Sequence, residues 1–131
     1  ESNEMFATFS PDGKWIAYIS ATSETDAEVY IRPFPKGRAL RVSTDGGGPP
    51  SWSRDGRELV WGSKSRVLAA SVNLSGSTPE IGAPRELFRL PRIWSKPLVM
   101  KDGRIALMVP SPDADLSSAY HITTAWRTKL K

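Results

Sequence analysis

The chain contains no cysteine. That excludes a disulfide framework and a thiolate-bound metal, but it leaves the redox compartment open, because disulfide-free proteins fold in oxidising and reducing surroundings alike. No apolar run approaches the roughly 18 residues that a membrane-spanning helix needs, and the first residues hold neither a basic segment nor an apolar leader. The sequence starts at Glu1 rather than Met, so a leader, an anchor or an upstream domain in a parent protein stays open. Histidine occurs once, at His121. No Gly-x-Ser-x-Gly elbow accompanies it, and a Ser-His-Asp triad needs a convergence of three groups that one strand-borne histidine does not announce. A strong excess of one charge is lacking as well: 18 basic residues stand against 14 acidic ones, a net +4. A nucleic-acid binder carries a clustered basic stripe. In this chain the basic residues are dispersed, and the densest stretch, Arg127, Lys129 and Lys131, would share one solvated edge of a strand by the two-residue alternation of side chains. Neither a nucleic-acid partner, a cofactor, a metal nor a membrane segment is expected of this chain.

What is present is punctuation. Ten glycines and eleven prolines cut the chain into short pieces, and no window sustains a 3.6-residue apolar period, so the expected class is all-β. Strand-like stretches rich in β-branched and aromatic residues fall at 15–19 (WIAYI), 29–32, 59–61, 67–72, 105–109 and 120–126. Several are apolar on both faces. Trp15, Ala17 and Ile19 lie on one side of their strand and Ile16 and Tyr18 on the other, and such a strand must be covered twice.

An internal repeat organises these pieces. Phe9-Ser10-Pro11-Asp12-Gly13-Lys14, Trp52-Ser53-Arg54-Asp55-Gly56-Arg57 and Val99-Met100-Lys101-Asp102-Gly103-Arg104 each lead from a large apolar residue through Asp-Gly and a basic residue into an apolar strand. The aspartates recur 43 and 47 residues apart. A period of about 40–50 residues is that of a four-stranded propeller blade. Asp-Gly has a physical reason to recur there: the carboxylate accepts nearby backbone N–H groups and glycine takes positive φ without a Cβ penalty, so Asp12, Asp55 and Asp102 read as turn formers and Gly13, Gly56 and Gly103 as positive-φ residues.

The stretches FSPDGKWIAYIS (9–20) and PSWSRDGRELVW (50–61) resemble the WD40-like, TolB-like (PD40-type) β-propeller repeat, whose signature is aromatic-Ser-Pro-Asp-Gly-Lys/Arg; the third copy departs from it at Val99 and Met100. EVYIRPFP (28–35), RVSTDGGGPPSWS (41–53) and HITTAWRTKL (121–130) are further similar to the C-terminal propeller region of bacterial proteins linked to serine/threonine kinases. No kinase motif occurs in the chain itself. The resemblance implies inner strands at 5–9, near 50 and at 94–99, outer strands at 39–43 and 86–88, and a third blade without its fourth strand. It also tilts the open question of localisation toward an extracytoplasmic setting.

The remaining candidate sites have simpler explanations. Gly46-Gly47-Gly48 runs into Pro49-Pro50 rather than a helix headed by Lys and Ser/Thr, so it reads as a flexible link between blades and not as a phosphate loop. Asp113 and Asp115 supply two carboxylates where calcium takes six to eight oxygens. Of the five tryptophans, Trp15, Trp52 and Trp61 belong to the repeat, whereas Trp94 and Trp126 are free to line a contact surface.

The expected architecture is thus a partial β-propeller of about three four-stranded antiparallel blades (approximately 1–45, 46–90 and 91–131), half of a six-bladed ring. Its expected role is non-enzymatic recognition of a protein or small ligand, as the sensor or interaction region of a bacterial signalling protein; a gating or accessory propeller of a hydrolase or peptidase is the alternative, and an isolated structural fragment a third. The open end blades would associate with further blades or with a second copy as a homodimer.

Overall fold

The computed structural model describes residues 2–23, 25–90, 95–110 and 120–125. Among them there is no helix, and twelve strands form three antiparallel sheets. The first sheet runs β1 (Asn3–Phe9), β2 (Trp15–Ala21), β3 (Ala27–Pro33), β4 (Leu40–Arg41), each pairing with the next. In the second, β5 (Ser51–Trp52), β6 (Glu58–Ser63) and β7 (Arg66–Asn73) are followed by two short pieces, β8 (Glu80–Ile81) and β9 (Arg85–Arg89), both on the far edge of β7. The third comprises β10 (Leu98–Val99), β11 (Ile105–Pro110) and β12 (Tyr120–Ala125). β5 lies between β1 and β10, so the first strands of the three sheets stand side by side.

The sheets pack face to face in chain order, and alternation along the middle sheet explains how. Leu59 and Trp61 of β6, with Leu68, Ala70 and Val72 of β7, point to the first sheet and meet Ala17, Ile19, Val29, Ile31 and Val42. The intervening residues Val60, Val67 and Ala69 point the other way and meet Ile105 and Leu107 of the third sheet. Both faces of the middle sheet are therefore dry, as its doubly apolar strands require. Two polar contacts fix the inner strands: Trp52 Nε1 donates to the Thr8 carbonyl at 3.2 Å, and Ser51 Oγ donates to the Pro97 carbonyl.

Two expected strands differ in form. The outer strand of the second sheet, anticipated at 86–88, is preceded by a short separate piece: Gly82 N still donates to the Ser71 carbonyl at 2.8 Å, and the interruption falls at Ala83-Pro84, where Pro84 has no N–H to offer the ladder. The inner strand of the third sheet, anticipated at 94–99, is confined to Leu98–Val99 behind the buried, donorless Pro97, and Trp94 lies outside the described residues.

The third repeat also departs from the other two in register. In the first, Ser10 N donates to the Trp15 carbonyl and Phe9 stands opposite Ile16; in the second, Ser53 N donates to the Glu58 carbonyl and Trp52 stands opposite Leu59. In the third, Met100 N donates to the Arg104 carbonyl, and Val99 stands opposite Ile105. The third turn is one residue shorter. Since a one-residue slip exchanges the two faces of a strand, Ile105 and Leu107 face the second sheet, whereas alignment on Asp-Gly alone would send Ala106 and Met108 there. Leu107 is buried and Met108 exposed.

This register makes a sharp prediction for chemical denaturation. Leu107→Ala should cost about 2–5 kcal/mol, the range for a buried large-to-small change, whereas Met108→Ala should stay within about 0.5 kcal/mol of the parent, as surface changes do. The reverse order would place the third sheet in the register of the other two.

Candidate functional site

The first two Asp-Gly turns are built alike, and the third shares only their glycine conformation and the aspartate's bond to the amide two residues on. Gly13, Gly56 and Gly103 have φ of 71°, 71° and 82°, the left-handed region anticipated for them. In the first turn Ser10 Oγ donates to Asp12 Oδ1 at 2.6 Å and accepts from the Trp15 amide at 3.0 Å, while the same Oδ1 accepts the Lys14 amide at 3.0 Å. Ser53, Asp55, Glu58 and Arg57 repeat this set in the second turn. Met100 has no hydroxyl to accept the amide five residues on, so the third turn closes earlier; Asp102 instead takes the Arg104 amide and its Nε.

These bonds hold the carboxyl groups of Asp12 and Asp55 below the usual Asp value, chiefly through the serine hydroxyls and then through the Lys14 and Arg57 amides. The Arg104 amide does the same for Asp102. A general acid at neutral pH needs the opposite shift. The three aspartates thus serve the turns, as their sequence setting implies.

A cleft of about 1030 Å³ opens beside the first two turns, between the first and second sheets. Asp12, Lys14, Asp55 and Arg57 bring both charges to it, and Trp15, Leu74 and Ile81, which pack on the core, supply apolar wall. Pro11 rests near Gly56, where an added Cβ would sit 3.4 Å from its Cδ, so the two turns adjoin. A smaller recess of about 350 Å³ recurs between the second turn and the third, lined by Arg54, Asp55, Val99, Met100 and Lys101. The cleft is a property of the repeat, since it forms wherever successive turns stand next to each other.

At the opposite end the backbone of the triple glycine is hydrogen-bonded to both neighbouring sheets. Gly47 N donates to the Ala27 carbonyl at 2.8 Å, Gly48 N to the Gly62 carbonyl at 2.7 Å and Gly46 N to Glu28 Oε1 at 3.2 Å. A Cβ on Gly47 would lie 2.5 Å from Val29 Cγ2, and one on Gly48 would lie 3.0 Å from the Gly62 carbonyl oxygen. Glycine is needed at this link because backbone passes over backbone, which also uses up the N–H groups that a phosphate loop would offer. Polar partners around the link were not legible in the sequence: Glu28 holds Arg41 and Ser43, and Asp45 holds Lys64 Nζ at 3.0 Å and Arg66, so that Asp45 is kept well ionised by two cations of the next sheet. Glu58 is buried, pairs with Arg85 at 2.6 Å through Oε1, and has no partner for Oε2 among the described residues.

Trp94 and Trp126, the sequence candidates for a contact surface, lie outside the described residues, as do Asp113, Asp115, Arg127, Lys129 and Lys131. His121 falls within β12, opposite Val109. Among the described residues no three His, Cys, Asp or Glu side chains gather as a metal would require, and no helix is long and apolar enough to cross a membrane.

Comparison with known proteins adds one likeness. Over 63 residues the chain is 40% identical to the Tol-Pal system protein TolB of Alcanivorax borkumensis, a match covering 45% of this chain and 14% of that protein. The chain carries a TolB-like repeat. It spans a small part of that relative's length, and no family model matches it.

The turn network predicts an acid dependence. The unfolded chain, with Asp near its ordinary 3.8, binds protons at a pH where folded Asp12 and Asp55 do not. Their contribution to stability is therefore complete above the unfolded value and drains away as pH falls through the lower folded values. In thermal melts between about pH 2 and 6, replacing both (Asp12→Asn, Asp55→Asn) should flatten the fall in Tm below about pH 4. An unchanged acid limb would assign the loss to other groups.

Proposed function

We propose that residues 1–131 form a single, non-enzymatic propeller segment, with blades near 1–45, 46–90 and 91–131, that recognises a protein through the cleft beside its Asp-Gly turns. The observation that carries this reading is the cleft itself. It is an open cleft slightly larger than small-ligand pockets of about 300–1000 Å³, and its lining combines carboxylates, cations and apolar wall. That chemistry suits a short extended segment of mixed character better than a small apolar ligand. The likeness to a Tol-Pal system protein also favours a protein partner, because a system implies more than one component.

The finer setting is a sensor or interaction region of a bacterial kinase-linked signalling protein, with an extracytoplasmic location. It is supported by the resemblance of residues 28–35, 41–53 and 121–130 to such propellers. Trp94 and Trp126, outside the described residues, are separately proposed as contact residues because tryptophan is enriched among residues that dominate binding energy. The absence of catalysis is supported by the aspartates' engagement in turns, which leaves them ionised and hydrogen-bonded.

The test is peptide display on the immobilised chain. Enriched peptides should lose roughly tenfold or more in affinity, about 1.4 kcal/mol, when the rim charges are reversed by Lys14→Glu with Arg57→Glu, and should be indifferent to Lys36→Glu, an exposed site outside the cleft. No enrichment, or equal loss in the Lys36 variant, defeats the cleft. Hydrolysis of a generic ester that disappears with His121→Ala would defeat the non-enzymatic reading.

A further inference from the structure

Two clefts of the same origin, one between the first and second Asp-Gly turns and one between the second and third, differ in chemistry. The first has an aromatic floor: Trp15 lines it and packs on the core beneath, with Leu74 and Ile81 beside it. At the same repeat position after the second turn stands Glu58, which is buried and paired with Arg85. No aromatic residue lines the recess there. The charges differ too. In the first cleft three carboxylates, Asp12, Asp55 and Glu80, stand with two cations, Lys14 and Arg57, on a chain whose net charge is +4. In the second recess Asp55 alone stands against Arg54 and Lys101. The first cleft is thus locally acidic on a basic chain.

Its turn carboxylates have bonding capacity left. The turn bonds of Asp12 and Asp55 end on Oδ1, and Oδ2 of each carries none among the described residues. Serine hydroxyls and then backbone amides hold both groups ionised, below the usual Asp range. Because Oδ1 is already fixed by two donors, a cation that binds Oδ2 has little side-chain freedom left to remove. Lys14 and Arg57 likewise make no ion pair among the described residues.

A planar cation fits this set. Guanidinium stacks on an indole face while giving N–H donors to carboxylate oxygens, whereas an ammonium is a compact point charge and an aliphatic side chain leaves both carboxylates unpaired. We propose that the cleft is an arginine-anchored peptide site. An arginine side chain of the partner lies on Trp15 and bonds to the free oxygens of Asp12 and Asp55, and an acidic residue next to it in the partner meets Lys14 and Arg57. This inference rests on the reading of the cleft as a protein-recognition surface and names the side chain that it reads.

The probes are three acetylated, amidated tripeptides, glycine-X-glutamate, with X arginine, citrulline or leucine; citrulline keeps the arginine shape without its charge. In proton–nitrogen correlation spectra of the whole chain, the arginine peptide should shift the Trp15 indole Nε1–H signal, assigned by its loss in Trp15→Phe, together with the Lys14 and Arg57 amides. It should bind about fivefold or more tighter than the other two, a step within the range of a cation on an aromatic face. Asp12→Asn with Asp55→Asn keeps an Oδ1 acceptor for each turn and should erase that advantage, while the Gly13 and Gly56 amide signals report that the turns persist. Equal or better binding of the citrulline or leucine peptide at the same signals, a comparison made on the unaltered chain, would overturn the arginine anchor and leave the cleft standing. An advantage that survives both Asn substitutions with the turns intact would overturn it as well. If no peptide moves these signals, the reading of the cleft falls with it.

Discussion

A difference of one residue in the length of a turn decides which face of each following strand is buried, and the rest of the molecule depends on it. Ser10 and Ser53 each place one hydroxyl between an aspartate oxygen and the amide five residues on. That bond keeps four residues in the loop and sends Ile16 and Tyr18, or Leu59 and Trp61, to the same side of their sheets. Where methionine replaces serine the loop closes one residue sooner, and the alternation of the following strand reverses. A core packed from period-two strands has no tolerance for an intermediate register. The apolar pattern of β11 has adapted to the shorter turn: Ile105 and Leu107 stand where the dry face now is.

Much of this was legible in the sequence, and its limits have physical causes. The all-β class, the three repeats and the positive φ at Gly13, Gly56 and Gly103 follow from local chemistry: glycine's lack of a Cβ, aspartate's short acceptor, and alternating apolar residues. The reversed face of β11 was not legible, because Val-Met-Lys-Asp-Gly-Arg aligns with the other copies on its Asp-Gly and conceals a loop that is shorter after it. The separation of β8 from β9 falls at Pro84, whose missing N–H is local, but that both pieces pair with the one strand β7 is set by the fold. Likewise the glycine run at 46–48 looked like slack and proved to be a place where one sheet's link crosses the backbone of the next.

The charged groups divide the same way. Those of the turns are local and recognisable from spacing, since Asp12 and Asp55 bind residues within five positions of themselves. Asp45, by contrast, reaches Lys64 and Arg66 about twenty residues on, and Glu28 reaches Arg41, Ser43 and Gly46, so both tie neighbouring segments in ways that only the fold brings about. The cleft arises from the first kind of group placed by the second kind of constraint: turn residues of consecutive repeats come together because the sheets stack.

If turn length sets strand register, the third hairpin must show it, and nuclear Overhauser contacts between α-protons across β10 and β11 test this most directly. The shorter turn puts Val99 opposite Ile105 and Leu98 opposite Ala106, and cross-strand contacts should follow those pairs. Contacts placing Val99 opposite Ala106, as Phe9 stands opposite Ile16 and Trp52 opposite Leu59, would contradict it.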